Sequence, residues 1–217
     1  MLLAAQPGRA GLRRPAATQS EDRICDLQIG GGALPVSLSD ALRALKRDGL
    51  LGVAIAVSPC LDGDAQAVTI ASALTWAKGQ GYDVVVSSIG PGIVGTASAL
   101  GHGGLAAAEA ANTASALGGE AVIAVRYSEA ERRERHQGVS HHTRAILELC
   151  REAAFAWPAG LEAPEWLSPR QELDVEGWHE DCSRLPLSHM GRGMEEDPCF
   201  FMVAFAAGRY ARSLVAA

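Results

Sequence analysis

Aromatic side chains are scarce in this chain: Phe, Trp and Tyr make up 5% of its 217 residues. The core therefore cannot rest on stacked rings and must be built from small and aliphatic groups packed closely. Long apolar runs are lacking too. None approaches the roughly 18 residues of a membrane span, and the longest, Phe200 to Ala207, is short. No CxxC pair occurs among Cys25, Cys60, Cys150, Cys182 and Cys199, which argues against cysteine-ligated zinc. An odd cysteine count without a secretory signal points to reduced thiols in the cytoplasm. Positive charge is also in short supply. The net charge of −6 and a pI of about 5.5 argue against non-specific nucleic-acid binding as the main activity. Composition excludes the collagen-like, disordered and disulfide-scaffold classes.

What is abundant is small. The chain holds 24 Gly and 39 Ala, so backbone segments can approach one another and any ligand closely. A chain of this length buries enough surface to fold without disulfides or a structural metal. The first residues carry Arg9, Arg13 and Arg14 with no acid before Glu21, and Met1–Ala5 is too short for a secretory apolar region. Residues 1–22 are expected to be a disordered leader or the remnant of an upstream domain, with a single α/β domain over 23–217.

From residue 23 strand-like and helix-like patterns alternate. Ile24–Ile29, Gly52–Val57, Asp83–Ile89 and Ala121–Val125 read as strands. Ser39 caps a predicted helix through Lys46 that Gly49 ends, and Asp64 is the expected N-cap of a helix over Ala65–Lys78. Further helices are predicted over Gly104–Leu117, over His141–Phe155 behind Ser140, and over Cys199–Leu214 behind Asp197-Pro198. The last should bury Phe200, Val203, Ala207 and Tyr210 along one stripe, and a short strand is expected near Glu172–Val175. The alternation predicts an α/β fold: three-layer and Rossmann-like, with a mostly parallel sheet and helices on both faces.

In such sheets ligands bind beyond the carboxyl ends of the strands. Here those ends carry GGGALP, SPCLDGD, GPGIVGT and the long RYSEAERRERHQGVSHHT. Gly31 and Gly32 in the first loop, and Gly90, Gly92, Gly95 and Thr96 in the third, suit backbone N–H contacts to an anion. The same glycines also suit a tight strand-to-helix turn with close packing. The third loop is neither a Walker loop nor a GxGxxG fingerprint.

Histidines cluster: His102 between glycines, and His136, His141 and His142 in the fourth loop. A helix N-terminus behind Ser140 disfavours imidazolium, so these rings should stay neutral, as bases, electrophiles or metal ligands. They could instead cap and pack. With Asp62 or Asp64 they could form a mixed nitrogen and oxygen site for a divalent Zn²⁺, Mn²⁺ or Fe²⁺. His136, His141, His142 and Asp62 are the catalytic candidates, and His102, Asp64, Ser128 and Ser140 join the substrate-binding set. Arg126, Arg135 and Arg192 are candidates to neutralise an anionic group. Arg132 and Arg133 read better as a solvated turn laced to Glu129. Arg192 could equally pair with Glu195 or Glu196. Cys60, beside Asp62, reads as a buried inert thiol.

GGGALP, GPGIVGT with GHGG downstream, ALGG, the RxSxAxxRxRHxGVSHHT run and the terminal MGRGxxEDPxFF…AAGR together resemble the bacterial proteins grouped as domain-of-unknown-function family 3866. The resemblance covers about residues 23–217 and implies an α/β region; members typically carry a small β-rich N-terminal region before it, which this chain is expected to lack. Members usually have Thr before Met-Gly-Arg-Gly where this chain has His189. If that position contacts a ligand, specificity should differ. The resemblance supports the fold and supplies no reaction.

These features lead to an expected enzyme, a hydrolase or transferase acting on a small anionic, phosphorylated metabolite, in the cytoplasm and without nucleic-acid or membrane partners. The alternatives are a non-catalytic nucleotide- or anion-binding sensor module, and an interaction domain that forms a homodimer through the Gly/Ala-rich helix Gly104–Leu117.

Overall fold

The computed structural model describes residues 2–4, 23–96, 98–150, 152–168 and 171–216. In chain order the elements are β1 (Leu2–Ala4), β2 (Ile24–Ile29), α1 (Asp40–Arg47), β3 (Val53–Val57), β4 (Ala65–Ala67), α2 (Ile70–Gly79), β5 (Val84–Ile89) and α3 (Ala106–Ala116). They continue with β6 (Glu120–Val122), β7 (Tyr127–Ser128), β8 (Gly138–Val139), α4 (His141–Leu149), β9 (Ala156–Pro158), β10 (Gln171–Leu173), α5 (Trp178–Cys182) and α6 (Pro198–Ala216).

The main sheet has the order β4-β3-β2-β5-β1-β6. Strands β2 to β5 run parallel, with Asp26 opposite Ala54 on one side and Val86 on the other. Successive residues point to opposite faces. Leu27, Ile55 and Val85 pack on one face against the alanines of α2 and α3. Ala54 and Ala56 on the other face meet Leu42 of α1, and Val122 in the same row meets α6. Both faces are covered, which is why VAIAV in β3 is apolar throughout. The fold is thus an α/β three-layer arrangement with a mostly parallel sheet. In α3, Ala107, Ala108, Ala110, Ala111 and Ala114 are buried within the chain, so its small residues bring it close to β5 and β6.

Three expectations need correction. Leu2–Ala4, expected in a leader outside the fold, form β1. It runs antiparallel between β5 and β6 and completes the sheet that those two strands would otherwise leave open; residues 5–22 lie outside the described residues. Asp64 does not cap a helix. Its carboxylate accepts from Ala54 N at 2.8 Å and from Lys46, and Ala65–Ala67 is an edge strand beside β3. The helix starts later because Thr69 and Ser72 form a reciprocal capping box. Helix α4 ends at Leu149, because the chain must extend for Ala154 to bridge to Val122 and for Ala156–Pro158 to pair with β10.

Helix α6 buries Phe201, Val203, Ala206, Ala207, Tyr210 and Ala211; Phe200 lies off that stripe. By length and composition α6 is apolar enough to cross a membrane, and its buried face packs on β1, β6 and β9.

Candidate functional site

The histidines are set by backbone before side chains come into play. Gly31 and Gly103 touch: a Cβ on Gly31 would sit 2.2 Å from the Gly103 carbonyl oxygen, and one on Gly103 2.0 Å from that of Gly31. Gly32 meets Gly90 in the same way, at 2.1 Å from its carbonyl oxygen. The loops after β2 and β5 therefore interlock, and only glycine fits there. The segment Val94–Gly103 closes as a small antiparallel pair, with Gly103 N donating to Val94 O and Thr96 N to Gly101 O. This carries His102 inward, to 6% exposure. Gly104 leaves the space its ring needs, since a Cβ there would lie 2.7 Å from His102 Nδ1.

The other rings come from the fourth loop. Ser140 N donates to Arg126 O and Arg126 N to Thr143 Oγ1, which pins the start of α4 to the residue just before β7. Ser140 Oγ caps the helix by accepting from His142 N at 3.3 Å. The same oxygen lies 2.7 Å from His136 Nδ1, a hydrogen bond that either tautomer of His136 can make. The outcome is a cluster of four imidazoles. Ring centroids of His102 and His142 are 4.0 Å apart, those of His141 and His142 4.2 Å, and those of His136 and His141 4.8 Å.

Burial lowers the proton affinity of all four rings. His136 falls to about 4, with Arg126 and Arg133 adding to the effect of burial, and His142 to about 3, with His102 and His141 adding. His102 and His141 shift in the same direction. All four are neutral at pH 7. Both nitrogens of His102 and Nε2 of His141 are buried without a hydrogen-bond partner among the described residues. The ligand nitrogens of His102, His141 and His142 all lie within 4.8 Å of one another. Among the described residues, these side chains form a group able to hold a metal ion.

A charged network adjoins the cluster. Arg126 donates to His136 O, to Glu131 Oε2 at 3.0 Å and toward His189 Nε2 at 3.0 Å. Because the guanidinium can only donate, His189 must accept and is neutral. Burial, then Arg126 and Arg192, lower its proton affinity to about 4. Its ring stacks on Phe200 at 3.9 Å. Glu131, 6% exposed, also accepts from Arg133 and pairs with Arg192. Chiefly through Arg133, its carboxyl is held well below the usual range. Arg192 also reaches Asp197, which accepts from the buried Ser128 hydroxyl at 2.6 Å.

The structure thus brings together His102, His136, His141, His142, Arg126 and Ser140. Gly31, Gly32, Gly95, Thr96 and His102 share the lining of one shallow depression beside them. Gly92 has φ +74° with open space around it. Arg135 is exposed, and its charge acts on His136 and His141. Arg192 turns inward to Glu131 and Asp197, not to Glu195 or Glu196. Ser128 is fully buried on Asp197. Asp62 is exposed and accepts from Ser37, while Asp64 holds Lys46. Sequence reasoning missed Glu131 as the hub of three arginines and Asp197 as more than a cap. Ser128 and Asp197 are 69 residues apart in sequence, so no local spacing could reveal them.

No curated protein and no solved structure matches the chain. One family profile does, described as protein of unknown function (DUF3866), over residues 12–208. With the greater part of its length so matched, the chain belongs to the DUF3866 family.

Proposed function

We propose that the protein is an enzyme, a hydrolase or transferase, acting on a small anionic metabolite that carries phosphate or carboxylate. The observation that supports this is the meeting of four imidazoles beside the half-buried Arg126 guanidinium, at the glycine-lined edge of the sheet. Arg126 would steer the anionic group. His136, oriented by Ser140 and neutral at pH 7, would take up the proton as general base and return it once charged. The remaining three rings would polarise the substrate or an attacking water. Five unpaired cysteines support a reducing, cytoplasmic setting.

The test is turnover of a panel of phosphomonoesters, phosphodiesters and carboxylic esters by the full chain, then by His136→Gln. The expected result is activity on at least one anionic substrate, reduced by about 100-fold or more in the variant. Activity left intact by His136→Gln would remove this role. Tight binding of an anion without turnover would transfer the reading to a sensor module.

A further inference from the structure

We infer that His102, His141 and His142 bind one divalent transition-metal ion, with zinc or a close relative as the resident. Three observations meet. Their ligand nitrogens converge within 4.8 Å, from a loop after β5 and from the first turn of α4. His102 is 6% exposed, yet neither of its nitrogens has a partner among the described residues, and Nε2 of His141 is in the same position. An unpaired buried polar group of this kind costs about 1–3 kcal/mol, so three in one place need a common explanation. Lastly, the surroundings are built to hold these rings. Gly104 makes room for His102, and Ser140 fixes the helix start that carries the other two.

The donor set selects the ion. Three imidazoles with no carboxylate among them suit Zn²⁺, Co²⁺ or Fe²⁺ and disfavour Mg²⁺ and Ca²⁺, which take oxygen. Zinc–nitrogen bonds of about 2.0–2.1 Å require the three rings to draw together slightly. Three protein ligands leave a fourth position for water or substrate, the pattern of catalytic rather than structural zinc sites. His136 is not among the converging nitrogens; Ser140 engages its Nδ1, and its ring faces His141 and His142 from the side.

The test uses full-length protein without a histidine tag. Metal content is measured after purification. The chelator-treated protein is then titrated with Zn²⁺, Co²⁺ and Mg²⁺ while melting temperature and, for Co²⁺, the visible absorption spectrum are followed. The expected results are about one equivalent of metal and a rise in melting temperature of roughly 5 °C or more with Zn²⁺ or Co²⁺. Mg²⁺ should have no effect, and the Co²⁺ spectrum should be that of a tetrahedral site. His102→Gln and His142→Gln should abolish the Co²⁺ spectrum, and His179→Gln, on the exposed side of α5, should not. The Co²⁺ spectrum of the parent stands even if a variant fails to fold. A folded parent that neither retains nor is stabilised by any transition metal overturns the inference, as does a spectrum unchanged in both ligand variants. Metal bound without turnover upholds this site and removes the enzyme proposal; turnover in a protein that binds no metal does the reverse.

Discussion

Asp26 and Glu131 are both buried acids, and they respond to pH in opposite directions. Glu131 is surrounded by guanidinium groups that lower its proton affinity, so the stability it contributes is present at neutral pH and is lost as pH falls below the ordinary carboxyl range. Asp26 stands in the middle of β2 at 1% exposure, with neither carboxylate oxygen hydrogen-bonded among the described residues. Burial raises it from 3.8 to about 7, against a smaller opposing effect of Ser88. Its folded-state pKa lies above the unfolded one, so its contribution is intact in acid and declines as pH rises from about 4 to about 7. Asp26→Asn should therefore gain about 2–3 kcal/mol on the parent between pH 5 and pH 8, measured as the difference in urea unfolding free energies. A constant difference across that range would mean that Asp26 is ionised or paired in the folded protein.

Elements whose signals are local were legible from sequence. Ile24–Ile29 and Val53–Val57 are apolar and β-branched because both faces of their sheet are covered, and Ser39 caps α1 by accepting from Leu42 N. The start of α2 was misread because two residues compete for one role. Asp64 has the better capping side chain, but Ala54 N and Lys46 engage it first, and Thr69 is left to begin the helix. Thr69→Ala should accordingly cost about 1 kcal/mol in helix-cap energy, readable as a fall of a few degrees in melting temperature. Asp64→Asn should retain α2 intact by circular dichroism while loosening the β3–β4 edge. The candidate site was legible in part. The histidine-bearing loops stood out as local runs, whereas Glu131 with Arg192, and Ser128 with Asp197, are 61 and 69 residues apart and carry no local spacing.

At the scale of the whole molecule, the sheet is closed by its first three described residues. Leu3 pairs with Val85 on one side and Ala121 on the other, so β1 is central to the sheet although nothing in a three-residue apolar run announces it. Leu3→Pro removes a ladder donor from a central strand and should destabilise the protein by about 3 kcal/mol or more, seen as a lower urea midpoint. An unchanged midpoint would show that β5 and β6 hold without it.

Because Gly31 and Gly103 meet backbone to backbone, the loop after β2 and the segment bearing His102 form a single mechanical part. Neither can shift to admit a guest unless the other shifts with it. Occupancy at His102 would therefore register at a distance, as slower amide exchange in the glycine run that follows β2. The same coupling limits how the loops can be redesigned: an insertion or a graft in one must be matched in the other, so the pair would have to be engineered as one unit.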